Sequence, residues 1–176
     1  LPVEENYTSF FNANVIAHLG RFDNQKCNWQ LVKAYCIARE QKPGLKLLLV
    51  GHVDVSNPAN RSIYNFCIHY LEAKGCKVCK PTDAVTDLAG YDVLMLGFRK
   101  NPHKYLAKAN LFAFPSAWEG FPNALVEAMA CGLPVMSADC PTGPAEILKD
   151  KNESYGILMP VFDFHFNEND VDVNAI

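Results

Sequence analysis

Between Leu111 and Ala138 the chain reads LFAFPSAWEGFPNALVEAMACGLPVMSA, and this stretch limits the possible folds more than any other. Leu111 to Pro115 is a short, aromatic-rich apolar run stopped by proline, which predicts a buried strand. Ser116 to Pro122 reads as a loop. A helix is expected from Asn123, a favourable N-cap residue type, with Leu125, Met129 and Val126 on its inward stripe. Gly132 supplies a left-handed stop, and Pro134 opens a second apolar run, Val135 to Ala138. Strand, helix and strand in so short a span make the crossover unit of a parallel sheet.

The chemistry lies at the strand-to-helix turn. The main-chain N–H groups of Gly120 and Phe121 would sit beside a helix N-terminus, where the dipole and unpaired donors favour an anion. Glu119 and Glu127 flank them. On one continuous helix these carboxylates would be about 12 Å apart and roughly 80° around the axis. With Glu119 in the loop and Glu127 one turn inside the helix, both can flank a ligand lying across the helix start. Acid, anion hole and acid in a row suit a ligand with hydroxyls at both ends and phosphate between. A nucleotide-sugar has that pattern.

The rest of the chain repeats the alternation. Asn14 to Gly20 reads as a strand ending in a glycine turn, followed by Arg21 and Lys26 and a helical run carrying Trp29, Val32, Tyr35, Cys36 and Arg39. By position alone Arg21 and Lys26 are either phosphate-neutralising cations or two solvated charges beside a turn. Trp29 and Tyr35 read as core. Lys46 to Gly51 is nearly all apolar, as a central parallel strand should be, with Gly44 and Gly51 as loop punctuation. After a polar loop from Ser56 to Asn60, Arg61 to Lys74 reads as a helix with Ile63, Phe66, Cys67 and Tyr70 inward, stopped by Gly75. Residues 77–91 are the least regular stretch. Val93 to Leu96 is a strand, and Asn101-Pro102 starts a helix to about Lys108. Phe98, in the intervening loop, is a site candidate or a packing residue. Pro141 to Pro144 form a turn and Ala145 to Lys149 a short helix. Thr142 and Gly143 thus fall at a strand-to-helix turn on the edge where ligands of such sheets gather. Glu146 is a site candidate or a dipole-favoured first-turn acid. Tyr155 to Pro160 is the last strand.

At 176 residues, with 49% hydrophobic and 20% charged residues, the chain fits one soluble domain, doubly wound α/β with a parallel sheet. Residues 1–14, which open without Met, read as a linker; 15–161 form the domain; 162–176 form a polar tail. An excised domain is the expectation. A net charge of −3 leaves no basic footprint for nucleic acid. No apolar run approaches the ~20 residues of a membrane span, and no signal-peptide pattern precedes the first strand. Seven cysteines scattered through strands and helices fit a reducing cytoplasm. The Cys76/Cys79 pair spells C-x-x-C without a second pair or paired histidines, so thiols around a short strand are the plain reading. His52 and His69 lack metal-ligand spacing. Asp170 to Asp172 spells D-x-D without a preceding strand and reads as tail, and N-x-S/T spellings at Asn6, Asn60 and Asn152 carry little weight without a secretory signal.

EGFPNALVEAMACGLPV resembles the E-x7-E signature of family-4 (group 1) retaining glycosyltransferases, specifically the C-terminal, donor-binding half of their GT-B fold. The likeness extends in order through GRFDNQK (Gly20 to Lys26), LGFRKNPHKYLAKANLFAFPS (Leu96 to Ser116), DCPTGPAEIL (Asp139 to Leu148) and YGILMPV (Tyr155 to Val161). It implies that Arg21 and Lys26 hold the donor diphosphate and that Glu127 binds the ribose hydroxyls. Glu119 would orient the donor sugar with the Gly120 and Phe121 amides, and Phe98 would border the nucleobase. Gly20, Asn123, Ala124, Thr142 and Gly143 complete the candidate donor contacts. The implied chemistry retains anomeric configuration, transfers a hexosyl or N-acetylhexosaminyl group, and needs neither metal nor cofactor, UDP being the first candidate nucleotide. A sugar or lipid-linked acceptor would bind through an N-terminal domain outside this sequence. The resemblance further implies a cytoplasmic setting in envelope-polysaccharide assembly, with peripheral contact of the full-length protein at the inner membrane face expected. Pro122 departs from the family by replacing a second glycine and removing one N–H donor. The alternatives are an epimerase or phosphorylase on the same fold, and a non-catalytic binding domain.

Overall fold

Strand β2 (Lys46–Val50) is buried along its whole length, because both faces of the sheet are covered. The pleat divides its side chains. Leu47 and Leu49 pack under α2 (Asn28–Gln41) and α3 (Pro58–Ala73) with Val32, Tyr35, Ile63 and Phe66. Leu48 and Val50 face the opposite layer, with Phe10, Tyr105, Leu125 and Leu148. That layer is built from α1 (Glu5–Thr8), α4 (His103–Leu106), α5 (Asn123–Ala130) and α6 (Pro144–Leu148). Fully buried leucines of this kind each contribute about 1.5–3 kcal/mol of transfer free energy.

In this computed structural model, residues 2–150, 153–161, 165 and 166 are described. Their remaining strands are β1 (Val15–Leu19), β3 (Val78–Cys79), β4 (Val93–Gly97), β5 (Leu111–Phe114), β6 (Val135–Ala138) and β7 (Ile157–Met159). All seven pair in parallel, in the order β3-β4-β2-β1-β5-β6-β7. The winding reverses between β1 and β5, and the crevice outside the carboxyl ends of those two strands is where such a sheet accepts a ligand. The fold is the expected Rossmann-like doubly wound α/β sheet.

Several boundaries differ from the sequence reading, each for a local reason. Helix α3 begins three residues before the expected Arg61, because the Asn57 side chain accepts from the N–H groups of Ala59 and Asn60 and Pro58 takes the first helical position. Helix α4 stops at Leu106, short of Lys108. Asn123 does not cap α5; it is the first helical residue, and Pro122 occupies the cap position without a side-chain bond. Val126, placed on the inward stripe, is 38% exposed, while Ala128 is fully buried in its stead. Gly132 ends α5 as expected, at φ +78°. The Leu133 N–H reaches the Ala128 carbonyl and the Gly132 N–H that of Met129, which is a Schellman closure.

The first residues pack onto the domain. Phe10 is fully buried, and the Lys46 ammonium lies 4.8 Å from its ring centroid while donating to the Ala89 carbonyl. The Ser9 hydroxyl donates to Asp87, so this segment also pins the irregular stretch 77–91, whose regular part is the two-residue β3. Cys76 and Cys79 are buried free thiols, Cys76 just before that strand and Cys79 its second residue. Asn152 and Asp170 to Asp172 lie outside the described residues, as does the tail 162–176 apart from His165 and Phe166. Among the described residues no helix is long and apolar enough to cross a membrane.

Candidate functional site

The two loops that leave β1 and β5 are stitched together. Gln25, after β1, accepts from the Ala117 N–H at 2.8 Å, and its side-chain amide donates to the Trp118 carbonyl at 2.8 Å. Lys26 reaches across the same gap, its Nζ 2.5 Å from Glu119 Oε1, with side-chain exposures of 15% and 6%. A pair so shielded from water interacts far more strongly than a surface ion pair. From below, the Thr142 hydroxyl donates to the Glu119 carbonyl. Gly143, at φ +101°, lets the turn press on Pro122, for a Cβ there would come within 2.5 Å of the proline Cδ.

Above this seam opens a cleft of about 570 Å³. Gly20, Arg21, Lys26, Phe98, Glu119, Phe121, Asn123, Ala124 and Glu127, drawn from three separate segments, all line it. Three other candidates do not. Gly120 stands at the rim with open space where a Cβ would be, while Thr142 and Gly143 support the Glu119 loop from behind.

The helix start retains donors. The Asn123 N–H is spent on the Phe121 carbonyl at 2.9 Å, and Pro122 has none to give. The amides of Gly120, Phe121 and Ala124 donate to no described group and are available to an anion at the positive end of α5. Arg21 adds a cation whose side chain is 65% exposed, with Nε 3.1 Å from Asp23. Phe98 and Phe121, 70% and 60% exposed, supply apolar walls. Glu127 faces the cleft from α5, with Oε2 3.1 Å from His103 Nε2. Among the described residues no three His, Cys, Asp or Glu side chains converge to hold a metal ion.

Four residues enter that the sequence reading passed over. Gln25 and His52 line the cleft. Gly51, read as punctuation, is required by contact: a Cβ on it would lie 1.8 Å from the Gly20 carbonyl oxygen, so the ends of β1 and β2 meet only if it is glycine. His18 lies fully buried beneath Gly20, and its one visible signal is a polar residue inside an apolar strand.

Residues 13–165 match the family described as glycosyl transferases group 1. An uncharacterized glycosyltransferase of Methanocaldococcus jannaschii is 32% identical, over 94% of this chain and 38% of its own length. The N-acetylgalactosamine-N,N'-diacetylbacillosaminyl-diphospho-undecaprenol 4-alpha-N-acetylgalactosaminyltransferase of Campylobacter jejuni is 33% identical, over 83% of this chain and 33% of its own length. The chain therefore spans between a third and two fifths of these relatives. The crystal structure of Anabaena HepE, in complex with UDP and glucose, superposes with a TM-score of 0.67 at 24% identity, over 88% of this chain and 36% of that one. A family match over most of the length and a shared parallel sheet lead to one conclusion: this chain belongs to the group 1 glycosyl transferases and has the fold of their C-terminal GT-B domain.

Proposed function

We propose that the cleft between the ends of β1 and β5 binds a nucleoside-diphosphate sugar, with UDP the first candidate nucleotide. In the whole protein it would serve retaining, metal-independent glycosyl transfer in polysaccharide or glycan biosynthesis. One observation carries the reading: cations, free amides and two carboxylates converge at the winding reversal of the sheet. A diphosphate placed over the start of α5 meets the Gly120, Phe121 and Ala124 amides, with Arg21 and Lys26 alongside. Glu127 lies one helical turn further on, within reach of ribose hydroxyls, and Glu119 lies on the other side, toward the sugar. Phe98 offers an apolar wall to the base. The UDP and glucose in the HepE complex, and the lipid-diphosphate named in the Campylobacter enzyme, support a nucleotide donor and a lipid-linked acceptor.

The chemistry asked of these residues is positioning and charge stabilisation. As the bond from the sugar to the diphosphate lengthens, negative charge grows on the departing oxygen, and donors already aimed at that place stabilise it without reorganising. Glu119, held by Lys26 and the Thr142 hydroxyl, orients the sugar. Calorimetric titration of this chain with UDP, GDP and their sugar conjugates, with and without EDTA, tests the reading. Binding of one nucleotide family, unchanged by EDTA, is expected. Silence from every nucleotide in folded samples of both this chain and the full-length protein would overturn it.

A further inference from the structure

His18 is a fully buried imidazole inside β1. Its Nδ1 lies 3.0 Å from the Ala113 carbonyl on the neighbouring strand β5. A carbonyl only accepts, so Nδ1 carries the proton and Nε2 presents a lone pair. Burial holds the ring neutral by pushing its pKa down to about 4, and the nearby Lys26 charge acts in the same direction. Nε2 is thus a buried acceptor with no donor among the described residues, an arrangement that costs free energy unless something uses it.

The direction of that lone pair shows what can use it. A Cβ built on Gly20 would lie 2.7 Å from Nε2 and 3.4 Å from the Cδ of Lys26. Only a glycine leaves this gap open between the imidazole and the lysine stem. The ammonium at the end of the stem now rests on Glu119, a contact that cancels its charge where a diphosphate would need it. An imidazole lone pair can orient an ammonium without cancelling its charge.

We propose that His18 Nε2 is a second hydrogen-bond acceptor for the Lys26 ammonium, taking it over when ligand hydroxyls engage Glu119. His18 is then a positioning residue that keeps the lysine at the phosphate while leaving its charge unspent. The consequence for binding rests on the donor-site reading; the contact itself does not.

Two measurements separate the two. The first is ¹⁵N NMR of the His18 imidazole in Glu119→Gln, where Lys26 has lost its carboxylate, compared with Glu119→Gln/Lys26→Met. An upfield Nε2 shift that disappears with the lysine is expected; an Nε2 resonance indifferent to Lys26 would overturn the proposal. The second is titration with UDP. His18→Asn keeps a donor for Ala113 but has no acceptor at the Nε2 position, and about tenfold weaker binding is expected, as for a lost hydrogen bond to a charged group. His18→Gln restores an acceptor there and should return affinity to within about threefold of the parent. In Lys26→Met, His18→Asn should add nothing. Parental affinity in His18→Asn, or a further loss in the lysine variant, would overturn the role. If neither this chain nor the full-length protein binds a nucleotide, the donor reading fails and the NMR comparison still decides this inference.

Discussion

Glu119 and Glu127 face one cleft from opposite settings. Glu119 sits in a loop, its side chain 6% exposed, its carboxylate on Lys26 and its carbonyl under the Thr142 hydroxyl. Glu127 rides on α5, its side chain 39% exposed, its carboxylate meeting the exposed His103. Lys26 and Glu119 are 93 residues apart in the chain, so the first acid exists as a positioned group only because β1 and β5 lie side by side. The second needs little beyond the helix that carries it. One acid is part of the structure, and the other is free to be part of a complex. The proposed donor binding would use both: a fixed point to orient a ligand, and an exposed acceptor to bind it.

Four experiments test this contrast, in descending order of effect. The first concerns the floor of the buried half. Burial depresses the His18 pKa from its ordinary 6.5 to about 4 in the folded protein, so between those values the unfolded chain binds more protons. Stability from this group is fully present above pH 6.5, is lost as pH falls toward 4, and amounts to about 3 kcal/mol. Urea unfolding across pH 4 to 7 should show this slope in the parent and not in His18→Asn. Next, Lys26→Met strands the shielded Glu119 carboxylate and should cost about 2–3 kcal/mol of unfolding free energy, somewhat below the cost of breaking a fully buried pair because Lys26 keeps some contact with water. Glu127→Ala should do the reverse. It should weaken UDP binding by about 1.5–3 kcal/mol in calorimetry, as a lost charged hydrogen bond does. Its stability should change by less than about 0.5 kcal/mol, as for an exposed pair. Equal stability losses in the Lys26 and Glu127 variants would dissolve the contrast. Smallest is Gly120→Ala, between the two acids: a Cβ there meets nothing within 4 Å, and melting should register a change within about 0.5 kcal/mol.

Much of the scaffold was legible because it follows from local chemistry. Apolar runs bounded by Pro and Gly marked β1, β2, β4, β5 and β6, and the left-handed glycines at 75 and 132 stop α3 and α5 where expected. The errors lie where a side chain's role depends on a partner. Asn57, inside an expected loop, becomes a cap; Asn123, an expected cap, becomes the first residue of a helix. Residues 1–14 read as linker by composition, yet within them Phe10 is fully buried beside Lys46. Gly51 and His18 were invisible as site residues, since a glycine after a strand and a histidine within one carry no local sign of what approaches them.

From the sequence alone came the alternation of strands and helices, hence a parallel doubly wound sheet, together with a short set of acids and cations at its turns. Periodicity and turn chemistry are local, and a chain written out in order contains them. The tertiary structure decided which turns meet. Only the winding reversal between β1 and β5 brings Lys26 to Glu119, buries that pair, and leaves Glu127 open. Only strand pairing sets the Ala113 carbonyl on Nδ1 of His18 and so turns Nε2 toward the cleft floor. Burial and charge pairing are properties of what surrounds a residue, and in a parallel sheet those surroundings come from distant parts of the chain.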